Sequence, residues 1–225
     1  MQAKKTFLAS DKKSVHSLRV TVRRLRAVLW LGTHSSPRLS FKSLPSMLRK
    51  LGQALGKLRD LDVAIQDSSN YHMNMKSLIP QRILNAENLL HQVDPKNVKQ
   101  ILFQLDKALE KLQKHPELDL NAGLLMLRGQ LNPWLKKNKI RDNQLHKLRI
   151  FAKKTRYTLE AVGKPVRPLK KLQNLLGRGH DLEVLQDLLG KNVVVKSDEV
   201  FQYQKAKRVI KPALHFAIKQ LKITH

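Results

Sequence analysis

Apolar positions recur at intervals of three and four along most of this chain, the period of an amphipathic helix. Ile101, Leu102, Leu105, Ala108, Leu109 and Leu112 fall on one face at about 100° per residue, opposite Lys99, Lys107 and Lys111. Gly, Pro, Ser, Asn and Asp gather in breaks at 32–37, 67–77, 115–119, 163–168 and 190–197. Between them the pattern predicts helices. Those over 12–31 and 44–65 would each span about 30 Å at about 1.5 Å per residue. The one strand-like run, Val193, Val194 and Val195, is short and lies in a break, so a loop is expected there. The expected fold class is all-α, and long helices joined by short turns are the mark of helical bundles.

An internal repeat sharpens this picture. His16, Arg19, Arg23, Arg24 and Arg26 recur 130 residues later as His146, Arg149, Lys153, Lys154 and Arg156. A second block, Leu55-Gly56-Lys57-Leu58-Arg59-Asp60-Leu61-Asp62-Val63, recurs after 121 residues, from Leu176 to Val184. Two ordered blocks in the same order predict two similar helical halves. The boundary is expected near 115–119, giving a first bundle over 1–116 and a second over 117–225 that together make one module.

Charge then narrows the function classes. Lys and Arg number 44 against 17 Asp and Glu, a formal net charge of +27. Such self-repulsion costs stability, so a polyanionic partner is expected. Hydrophobic residues make up 41% of the chain, enough for a core and too many for a disordered basic tail. Cysteine is absent, which excludes disulfides, Cys zinc sites, iron–sulfur clusters and thiol nucleophiles. No apolar run reaches the ~18 residues needed to span a bilayer, and the N-terminus has no signal-peptide stretch. A soluble, cytoplasmic protein with no membrane partner is expected.

On a helical wheel, Val15, Leu18, Val22, Leu25 and Leu29 form an apolar face, and Lys12, His16, Arg19, Arg23 and Arg26 form a stripe beside it. His146, Arg149, Lys153 and Arg156 do the same in the second copy. No acid interrupts 12–41 or 144–159, whereas a solvated helix face usually mixes signs. Adjacent like charges repel, and a phosphate-rich ligand offsets that through guanidinium forks and lysine point charges. A lone His at a helix edge is more often a packing residue. Two at one offset point to anion contact or to orienting an arginine. Neighbouring cations should depress both histidines, so binding is expected to tighten as pH falls from about 7.5 to 5.5.

Asp62 falls inside the apolar arc of Leu44, Leu48, Leu51, Leu55, Leu58 and Ile65, and Glu183 holds the corresponding place in the second copy. A carboxylate facing a core needs a partner. The expected partners are basic residues of the first helix in each half, so that Arg59, Asp62 and Glu183 support the site. No catalytic residues and no metal ligands are predicted. Gly52 to Lys57 is one residue short of a P-loop and has Leu58 where Ser or Thr is needed. His-Glu-x-x-His, Gly-x-Ser-x-Gly and paired metal-binding carboxylates are all missing.

His-x-x-Arg-x-x-x-Arg-Arg-x-Arg at His16 to Arg26, followed by Leu-Arg-Asp-Leu-Asp at Leu58 to Asp62, resembles the CHAD domain, the conserved histidine α-helical domain. The resemblance covers roughly 11–221. The second copy is weaker, with Lys153 and Lys154 for arginines and His180 for Arg59. The resemblance implies two four-helix bundles related by a pseudo-twofold, with a basic cavity between them that binds inorganic polyphosphate. It also implies a non-enzymatic role without cofactors, often at polyphosphate granules. The residues it touches are His16, Arg19, Arg23, Arg24 and Arg26 with His146, Arg149, Lys153, Lys154 and Arg156. Non-specific nucleic-acid binding is the alternative, since charge alone supports it. Aromatics at 5% of the chain are few for base stacking on single strands.

Overall fold

The computed structural model describes residues 12–36, 41, 43–92, 95–114 and 119–221. Among them are eight α-helices and no strand. They are α1 (Lys12–Ser35), α2 (Leu44–Asn70), α3 (Leu78–Gln92), α4 (Pro95–Gln113), α5 (Leu120–Lys136), α6 (Asp142–Ala161), α7 (Arg167–Leu189) and α8 (Val193–Gln220). The break expected at 115–119 lies, apart from Asp119, outside the described residues, and so does the boundary between 116 and 117. Asp119 caps α5, its carboxylate accepting from the backbone N–H of Asn121 at 2.9 Å.

Two expectations are corrected by the helix ends. The valine run is no loop: Val193 to Val195 open α8. The Asn192 side chain accepts from the N–H groups of Val194 and Val195, and Val195 is fully buried against Leu61, Ala64, Leu78, Leu182 and Leu185. A cap plus burial outweighs weak local propensity. Helix α2 continues past residue 65, because Asp67 and Ser68 are buried with partners and do not act as breakers. Ser68 Oγ donates to the Ile65 carbonyl, and Arg178 of α7 pairs with Asp67. The helix ends where His72 adopts φ 53°, in the left-handed region. On α4 the apolar arc is wider than the core it meets: Ile101, Leu105, Ala108 and Leu112 pack inward, while Leu102 and Leu109 are more than half exposed.

One core joins α1 to α4 through Val22, Leu29, Leu48, Leu55 and Leu89. A second joins α5 to α8 through Leu127, Leu148, Leu172, Ala206 and Leu214, and it also receives Leu31 from α1. Between these bodies α1 packs on both α5 and α6, and α2 packs on α7. The α1–α5 joint is close. A Cβ on Gly123 would lie 2.8 Å from Leu31 Cδ1 and from Ser35 Oγ, so only glycine lets these helices meet without displacement. The helices that carry the repeated blocks therefore touch their own counterparts, and the space along that joint is where the cationic side chains converge.

Candidate anion-binding site

A cavity of about 250 Å³ opens along this joint. Helix α1 contributes His16, Arg19 and Arg23, and α6 contributes Arg149 and Lys153. Arg59 and Asp60 come from α2, and Arg178 and Asp181 from α7. The apolar faces of α1 and α6 are held in the cores by Val15, Val22 and Leu29 and by Leu145, Leu148 and Ala152. Helical spacing then aims the basic stripe of each helix into the space between them.

The cations are only partly compensated. Arg19 Nη1 meets Asp60 Oδ1 at 3.4 Å, while Arg23, Arg149 and Lys153 have no ion-pair partner within 4 Å among the described residues. Arg19 Nε and Arg149 Nε, at equivalent repeat positions, are buried without a hydrogen-bond partner. Burial pushes the Arg19 guanidinium down to about 10, helped by Arg23 and opposed by Asp60. Burial likewise lowers Arg149, with Asp181 and Asp60 opposing. Lys153 is the extreme case. Burial, with Arg149, Arg23 and Arg19 around it, drives its ammonium down to about 6. Burial pushes the Asp181 carboxyl up, against the pull of Arg149. Lys153 is thus pushed toward its neutral form, and an anion beside it would favour its protonation.

A larger cavity of about 910 Å³ shares Arg19, Arg23, Arg149 and Lys153 with the first. It adds Arg26 and Arg49, the histidines His34 and His146, and an apolar wall that includes Trp30, Ile150 and Tyr157. Among the described residues no carboxylate lines it.

The sequence-derived residues divide accordingly. His16, Arg19, Arg23, Arg59, Arg149 and Lys153 line the smaller cavity. Arg26, His146 and Lys154 line only the larger. Lys12 and Arg24 are exposed and line neither, with Arg24 Nε 3.8 Å from Glu160. Arg156 turns away from both, buried against Glu160 at 2.9 Å and over the Tyr157 ring. Burial first, then Arg59, Arg19 and Arg23, lowers His16; burial first, then His180, lowers His146, whose ring meets that of His180 edge-on at 5.4 Å.

Asp62 and Glu183 depart from expectation. Asp62 is fully buried, but its partner is Arg82 Nε of α3 at 2.7 Å, not a residue of α1. Glu183 pairs with His180 on its own helix at 3.3 Å and is hydrogen-bonded by Tyr203 of α8, not by a residue of α6. The reason is geometric: both acids lie on the side of their helices turned from the cleft. The acids that do face it are Asp60 and Asp181, two positions earlier and equivalent in the repeat. They are the one acidic pair of identical type at matching offsets in the second block, and that identity is the signal that could have singled them out. Arg178 matches Lys57 in the repeated block, a basic pair that also could have been singled out, whereas Arg49 and Trp30 lie outside the repeated blocks.

Among the described residues no group of three or more His, Asp or Glu is arranged to hold a metal ion, and no helix is long and apolar enough to cross a membrane. What the helices build is an all-α protein around a cation-lined cleft where equivalent helices meet. The chain belongs to the CHAD domain family, whose model matches residues 1–190. The match stops short of α8, although Tyr203, Ala206 and Leu214 of that helix lie in the second core. No curated protein and no solved structure matches the chain.

Proposed function

We propose that this chain binds inorganic polyphosphate without transforming it, in a cleft between two four-helix units related by an approximate twofold. The units would be 1–116 and 117–225, with α1 and α2 equivalent to α6 and α7. The observation that carries the reading is the wall of Arg19, Arg23, Arg149 and Lys153. It is drawn from both copies of the repeat, is scarcely paired with acids, and lines two cavities. A linear phosphate chain supplies anionic oxygens at every unit and is thin enough to pass such a wall. A double helix, whose major groove alone is about 12 Å wide, does not fit a cavity of 250 Å³. The setting this reading implies is cytoplasmic, including polyphosphate granules.

The test is competition between polyphosphate and duplex DNA at matched phosphate concentration and fixed salt. Polyphosphate should win, and its affinity should fall steeply as salt rises because binding releases condensed counterions. Preference for DNA would transfer the reading to non-specific nucleic-acid binding. Incubation with polyphosphate and magnesium or manganese should release no phosphate; steady release would make the protein a hydrolase.

A further inference from the structure

The larger cavity has a character that a bare phosphate chain does not use. Besides the four shared basic residues, its lining includes the apolar side chains of Trp30, Leu29, Ile150, Tyr157 and Pro45. Inorganic phosphate gains nothing from an apolar wall, so the matching ligand joins phosphates to a flat apolar group. Trp30 and His34 stack with ring centroids 4.3 Å apart and planes 27° from parallel, and both line the cavity. The Lys154 ammonium sits 3.6 Å over the Trp30 ring and donates to Gln130 at 3.0 Å. Thr33, Ser46 and Gln53 add polar groups along the same wall, and a carboxamide can pair with the edge of a purine. The many cations and the lack of a carboxylate among the described lining residues disfavour a cationic ligand.

We propose that this cavity seats the base of a nucleoside polyphosphate beside Trp30 and His34, its phosphates lying across Arg19, Arg23, Arg149 and Lys153. This rests on the reading that the shared wall binds phosphate chains. It adds a second ligand class, distinguished by the apolar wall.

Isothermal titration with adenosine triphosphate and with inorganic tripolyphosphate, free of divalent cations, separates the two levels. The nucleotide should bind about tenfold more tightly, since ring contacts add to the phosphate contacts. In a Trp134→Phe background it should quench Trp30 fluorescence, and tripolyphosphate should not. Gln53 is exposed and His34 only partly buried, so Gln53→Ala and His34→Ala leave the cores intact. Together they should cost most of the nucleotide's advantage and change tripolyphosphate affinity by less than about twofold. Equal affinity for the two probes, with tripolyphosphate bound, overturns this inference alone. Failure of both to bind overturns the reading beneath it as well.

Discussion

In α1, Arg19, Arg23 and Arg26 all reach cavity walls, whereas in α6 only Arg149 and Lys153 of the three equivalent residues do. The cause is a single difference one turn on. Glu160 draws Arg156 aside in α6, while the equivalent position in α1 is Trp30, which offers Arg26 no carboxylate. The second difference is Arg23 against Lys153. A guanidinium spreads its charge and stays cationic in a crowded site, but an ammonium can give up its proton there, and Lys153 is driven to about 6. Two helices that carry one repeated motif thus offer different surfaces: α1 a set of guanidinium cations, α6 one that includes a titratable ammonium.

The largest expected effect falls where the two helices are alike. Arg19→Ala with Arg149→Ala should weaken polyphosphate binding by about a hundredfold, each charged hydrogen-bonding group being worth roughly 1.5–3 kcal/mol. Lys99→Ala with Lys107→Ala, on the exposed side of α4, should cost less than about twofold. Equal losses in a fluorescence titration would mean that net charge, not the facing stripes, does the binding.

Arg156→Ala probes where they diverge. It should destabilise the fold by about 2 kcal/mol, leaving Glu160 without its closest partner. Polyphosphate affinity of the folded variant should change little. Denaturant unfolding measured beside binding would expose a hidden role in the cleft as a loss of affinity at unchanged stability.

Lys153 tests the titratable wall. An unfolded lysine titrates near 10.4, and the folded, empty protein holds this one near 6. Between those values the unfolded state binds more protons, so stability should rise with pH, and Lys153→Met should flatten that slope. Binding has the opposite dependence. The polyanion raises the Lys153 pKa, so binding takes up close to one proton at pH 8, and affinity grows as pH falls toward about 6. Titration in two buffers of different ionisation enthalpy counts that proton; Lys153→Arg should abolish it while keeping affinity. The histidines give the smallest effect. His16 and His146 are lowered from their usual value, so His16→Gln with His146→Gln should change affinity about twofold near pH 6 and not at pH 8. Loss of the pH 8 proton in that double variant would move the switch from Lys153 to the imidazoles.

The sequence made the all-helical class legible through the three-and-four spacing, and the duplicated blocks marked the helices that meet. It also marked Arg19, Arg23, Arg149 and Lys153, because a one-sign stripe beside an apolar face has only one way to point once that face is buried. What stayed hidden depended on partners outside the repeated blocks. Asp62 lies on an apolar arc whichever helix covers it, and only the packing of α3 brings Arg82 to it. Arg156 looks identical to Arg26 in the motif, and the distinction lies in Glu160 outside the repeated pattern. The Val193–Val195 run misleads because the burial of Val195 against Leu61 and Leu78 comes from helices more than a hundred residues away.

Leu31 has a consequence for how the molecule comes into being. It belongs by sequence to the first half and by packing to the second core, and Gly123 is shaped to receive it. The second core is therefore completed by a side chain of α1. Cutting the chain between α4 and α5 should leave that core open. The separate fragments would expose Leu31 on one side and its empty socket on the other, and would regain structure only when mixed.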